Sequence, residues 1–100
     1  MDIDKIKKGI KSKHYFTHHA IEKMAERMIS EIEIVESVRD GEIIEEYPED
    51  KYGPTCLIYG ETKKNRALHV LVSYSIPLWI ITDYEPKDAE WINYKIRRRK

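Results

Sequence analysis

The sequence predicts an α+β chain: N-terminal helices first, then a four-stranded antiparallel meander, then a C-terminal helix. Three observations carry that expectation. Apolar residues recur at three- and four-residue intervals as far as Gly41, and from Glu42 to Tyr84 short β-branched and aromatic runs replace them. Pro86 then opens a stretch centred on Trp91 and Ile92. A chain of 100 residues suits one modest core, so one α+β domain over 1–100 is expected.

Ile3, Ile6 and Ile10 stand at helical spacing, which predicts a first helix fading around Ser12 and Lys13. Thr17 is a good cap for a second helix from His18 to Ile29, with Ile21, Met24, Ala25 and Met28 as its apolar stripe. The stretch "SEIE", Ser30 to Glu33, reads as a capping box, in which hydroxyl and carboxylate satisfy backbone donors at a new helix start. Ile32, Val35 and Val38 supply that third helix with an apolar face, and Gly41 ends it where a left-handed residue is cheapest. The runs "EIIEEY", "TCLIYGE", "RALHVLVSYS" and "LWIITDY" read as strands, and "ETKKNRAL" reads as a hairpin connection.

Lys plus Arg (18) equals Asp plus Glu (18), so net charge offers no steering toward nucleic acid or anionic membrane. Any such attraction is local, and the visible imbalance is the tail "KIRRRK". Cys56 is the one cysteine, which excludes an internal disulfide and reads as a packing residue. The start "MDIDKIKKGI" lacks an apolar run of signal-peptide length, and no segment approaches the roughly 18 to 20 apolar residues of a membrane span. A cytoplasmic protein with no membrane partner is expected. His14, His18, His19, His69 and Cys56 show no recognised ligand spacing, so no metal and no other cofactor is expected.

The paired histidines of "YFTHHAIEKMAERMIS" point differently on a helix. His18 shares the stripe of Ile21 and Ala25, or its edge, and reads as a partly buried ring. His19 aligns with Glu22, Lys23 and Glu26 on the polar side, where it is either an ordinary surface residue or a ligand contact. In the third strand, Leu68, Val70, Val72 and Tyr74 alternate to one face, leaving His69 on the less apolar one. If that face is open, His69 with Arg66 at the strand entry makes an anion site; if it is covered, His69 is a hydrogen-bonded core residue.

Four stretches, "THHAIEKMAERMIS", "GEIIEEYPEDKYGPTCLIYG", "RALHVLVSY" and "IITDYEPKDAEW", resemble a family of small prokaryotic proteins grouped as a domain of unknown function. The resemblance covers roughly residues 15 to 91 and emphasises His19 with Ala20, Arg27, the group Arg66 to Val70, and the group Thr82 to Pro86. By fold analogy the family is similar to RelE-type toxins, small ribonucleases that work without metal.

The resemblance implies a metal-independent endoribonuclease. His19 and His69 would share general acid and base work on the 2′-hydroxyl and the leaving 5′-oxygen. Arg66 and Arg27 would stabilise the phosphorane, and Tyr84 would orient a phosphate oxygen or donate a proton. Lys63, Lys64, Arg97, Arg98 and Arg99 would hold the RNA backbone. Two alternatives stand beside it. One is a non-enzymatic module binding RNA, a nucleotide or an acidic protein partner; the other is a structural protein that self-associates, and an antitoxin-like protein is a further expected partner.

Overall fold

The computed structural model describes residues 1–99 and orders them as three helices, four long strands and three short ones. Helix α1 spans Ile3–Ser12 and is capped by the Asp2 carboxylate on the Asp4 amide. Strand β1, His14–Phe16, precedes α2, His18–Arg27, where the Thr17 hydroxyl accepts the Ala20 amide at 3.0 Å. Met28, at φ 55°, ends α2 in the left-handed conformation. The capping box at Ser30 and Glu33 is formed and starts α3, Glu31–Arg39.

Strands β2 (Glu42–Tyr47), β3 (Thr55–Glu61), β4 (Ala67–Ser73) and β5 (Leu78–Tyr84) pair antiparallel in sequence order. The sheet is nevertheless mixed and five-stranded, in the order β1-β5-β4-β3-β2, because β1 joins the edge parallel to β5. This corrects the expected four-stranded antiparallel meander. A parallel partner is recruited across about sixty residues of chain, and no local pattern in the three residues of "HYF" announces it.

The expected C-terminal helix does not form. Lys87 to Trp91 makes a single turn, and the chain then doubles back as the hairpin β6 (Trp91–Ile92) and β7 (Ile96–Arg97). Asn93 and Tyr94, at φ 50° and 64°, make its two-residue turn, closed by the Lys95 amide on the Ile92 carbonyl at 3.0 Å. Trp91 is buried while Ile92 stays half-exposed, so their pairing is a strand alternation and not a helical stripe.

The helices cover one face of the sheet. Ile6, Ile10, Ala20, Met24, Ile34 and Val38 pack on Cys56, Ile58, Val70, Val72, Leu78 and Ile80. On α2 the inward pair is Ala20 and Met24, while Ile21 and Met28 of the expected stripe are exposed; on α3, Ile34 replaces Ile32, which is 69% exposed. Backbone contact fixes the seat of α3, since a Cβ on Gly60 would lie 1.8 Å from the Ser37 carbonyl oxygen. The second face, carrying Leu57, Tyr59, His69, Leu71, Thr82 and Tyr84, is crossed at one end by the β6–β7 hairpin. Among the described residues, no helix is long and apolar enough to cross a membrane.

Candidate functional site

His69 sits in mid-β4 on the second face and is fully buried. Its Nε2–H donates to the Tyr94 carbonyl at 2.6 Å, which leaves Nδ1 to accept the Tyr84 hydroxyl at 3.1 Å. The Trp91 ring meets it edge-on with centroids 4.4 Å apart. Burial pushes the His69 pKa down, against the opposing pull of the Tyr94 carbonyl and the nearby Glu45 carboxylate. The imidazole is therefore neutral, single-tautomer and sealed beneath the hairpin, as expected of a covered face.

Arg66 is equally committed. Its guanidinium donates to Glu33 at 3.0 and 3.2 Å, to Glu85 at 3.1 Å, and to the α2 C-terminal carbonyls of Met28 (2.8 Å) and Arg27 (3.1 Å). It joins the end of α2, the start of α3 and the exit of β5, and its hydrogen bonds to Glu85 and then Glu33 hold it charged. Arg27 donates to the Asp83 carbonyl and lies 6.0 Å from the Tyr84 ring centroid. With Tyr84, Glu85, Lys87 and Glu90 it borders a shallow cleft of mixed charge. Burial raises the Tyr84 pKa, so its phenol keeps its proton.

His18 and His19 are both exposed. The expected partly buried ring, His18, is 89% exposed and pairs with Glu22 at 2.9 Å. His19 instead borders a cleft of about 600 Å³ with Thr17, Tyr52, Ser73, Trp79 and Ile81. The local sequence builds this cleft directly. Thr17 both caps α2 and donates to the Ile81 carbonyl at 3.0 Å, which holds the first turn of the helix beside β5. Tyr15 and Trp79 are register partners on β1 and β5, with ring centroids 5.1 Å apart. Trp79 stays 42% exposed and Tyr52 78% exposed, and among the described residues no carboxylate lines the cleft.

The basic candidates are dispersed. Lys63 and Lys64 are exposed in the β3–β4 turn. Arg97 pairs with Glu45 at 3.0 Å and covers the Trp91 ring at 4.5 Å. Arg98 donates to the Asp88 carbonyl, Arg99 is exposed, and Lys100 lies outside the described residues. Arg66, Arg27 and Tyr84 thus cluster at the exit of β5, His69 is shut beneath the hairpin, and His19 belongs to a different cleft.

Several residues escaped the sequence reading. Asp83 points to the helix face beside Val70, is fully buried, and neither carboxylate oxygen has a hydrogen-bond partner among the described residues. Burial raises its pKa to about 6, with Arg27 and His19 pulling the other way. An acid inside "LWIITDY" was the available signal. Trp79 had a signal too, as an aromatic alternating with Leu78 and Ile80. Tyr94 had none. Among the described residues, no group of three His, Cys, Asp or Glu side chains is placed to hold a metal ion.

No curated protein and no solved structure matches this chain, so the RelE-like comparison gains no structural neighbour. One family model matches residues 16–85, which include His19, Arg27, Arg66, His69, Asp83 and Tyr84. On that match, extending over more than half its length, the chain belongs to the family described as Domain of unknown function (DUF4258).

Proposed function

We propose that this chain is a non-catalytic module that binds single-stranded RNA, with bases stacking in the cleft of His19, Tyr52 and Trp79. One observation carries the reading: the cleft offers exposed aromatic rings beside an imidazole, with no carboxylate of the described residues in its lining. Unpaired bases stack on such rings whatever their sequence, and a cleft free of carboxylates spares the backbone close repulsion. The balanced net charge suits modest affinity rather than the strong, salt-driven binding of a basic surface.

The endoribonuclease reading ranks second. It needs His69 to reach substrate, whereas both ring nitrogens are hydrogen-bonded in a fully buried position. The test is a fluorescence-anisotropy titration of a labelled mixed-sequence single-stranded RNA in excess chelator, with every sample then run on a denaturing gel. Saturable binding of intact RNA is the expected result. Cleavage by the parent that is lost in His69→Ala would overturn it in favour of catalysis, and absence of binding would remove RNA as the ligand.

A further inference from the structure

The family match ends at residue 85, and the segment from Pro86 to Arg99 crosses one end of the second face of the sheet and covers His69. Three features show how this strap is fastened. Its turn places Tyr94 at φ 64°, a left-handed conformation that a bulky side chain adopts only when its surroundings enforce it. Those surroundings are the His69 N–H on the Tyr94 carbonyl at 2.6 Å and the Tyr59 ring stacked on Tyr94 at 5.8 Å. Cations on the strap complete the fastening, Lys95 to Glu42 at 3.2 Å and Arg97 to Glu45 at 3.0 Å.

The sheet side of these contacts is therefore complementary to a basic, aromatic peptide. His69 presents one buried N–H to a main-chain carbonyl. Tyr59 presents a ring face, and Glu42 and Glu45 present carboxylates. Burial works against the Glu45 carboxylate, and its hydrogen bonds from Arg97 and Tyr47 more than offset that, holding its pKa low. The two ion pairs are exposed and weaken in salt, so the buried anchors of the strap are Trp91 and the His69–Tyr94 hydrogen bond.

We propose that the strap is an autoinhibitory stand-in, and that the surface beneath it, His69, Tyr59, Glu42 and Glu45, receives an extended basic-aromatic segment of a partner protein. Tyr94, Lys95 and Arg97 occupy in cis the places that the partner's carbonyl and cations take in trans. This surface is separate from the His19 cleft and does not depend on the RNA reading.

The test uses the full chain and a labelled synthetic peptide with the sequence of residues 90–98. Trp91→Ala loosens the strap and should bind the peptide at least tenfold more tightly than the parent does. A peptide carrying glutamate in place of Lys95 and Arg97 should not bind. Lys95→Glu with Arg97→Glu leaves buried Trp91 in place and makes both strap ion pairs repulsive, so it should bind the peptide more tightly than the parent, with faster amide exchange at Lys95 and Arg98. This second variant keeps the test intact if Trp91→Ala does not fold. Equal peptide binding by parent and variants, or none by any, would overturn the proposal. Dimerisation of Trp91→Ala by light scattering would overturn it in favour of a second copy as occupant.

Discussion

Replacing Asp83 with Asn should stabilise the protein at neutral pH and flatten its stability between pH 4 and 6. Asp83 has no accessible surface, and both carboxylate oxygens lack hydrogen-bond partners among the described residues. Burial raises its pKa from 3.8 to about 6. The folded chain therefore holds the proton more tightly than the unfolded chain. Stability is highest while Asp83 is protonated, and it falls as pH rises from about 4 through about 6. The full rise corresponds to about 3 kcal/mol. Rearrangement of the protein around the buried ion offsets part of this, so about 1 to 2 kcal/mol is the expected cost. His69 acts with the opposite sign, because its lowered pKa makes stability fall as pH drops below about 6.5. Comparing Asp83→Asn with the parent at each pH cancels that contribution. Urea denaturation at pH 4, 5, 6 and 7.5 reads it out. The variant should gain about 1 to 2 kcal/mol at pH 7.5 relative to its difference from the parent at pH 4, where Asp83 is itself neutral. A difference independent of pH would refute the raised pKa and the desolvation behind it.

Arg66→Ala should lose about 2 to 3 kcal/mol in urea denaturation, because it uncaps α2 and strands Glu33 and Glu85 together; Arg66→Lys should recover less than half, lacking the planar fork. Gly60→Ala should cost about 3 kcal/mol, read as a lower urea midpoint, since its Cβ would collide with backbone of α3 and not with a yielding side chain. Trp79→Ala should weaken single-stranded RNA binding about tenfold to a hundredfold by anisotropy while leaving the urea midpoint almost unchanged, as expected for a half-exposed stacking ring.

Where local chemistry decides the structure, the sequence was legible. Thr17 and Ser30 with Glu33 mark the starts of α2 and α3, and the four β-branched runs became β2 to β5. Gly41 follows α3 but is not left-handed as expected, Asp40 being the cap and Gly41 serving the close approach of the Ser37 and Tyr59 carbonyls. Illegible were the features set by distant partners. Strand β1 depends on the backbone of β5 some sixty residues later, and the helix expected after Pro86 gave way because Trp91 and the Tyr94 carbonyl settle on His69. Helix phase failed by one position on α2: Ala20 and Met24 face the sheet, and small Ala20 carries little weight in a hydrophobic pattern. The histidines divided for the same reason. The outward face of α2 was readable for His19, but whether the second face of the sheet was open or covered rested on a hairpin that no local signal announced.

NMR shift mapping of the parent protein with unlabelled single-stranded RNA distinguishes the open cleft from the buried histidine as the place where RNA binds. The Trp79 indole and His19 ring signals should move with saturation, along with the amide of Tyr52, while the His69 ring stays still with its Nε2 proton in place. Shifts centred on His69, Tyr84 and Arg66, with the cleft unmoved, would contradict binding in the cleft.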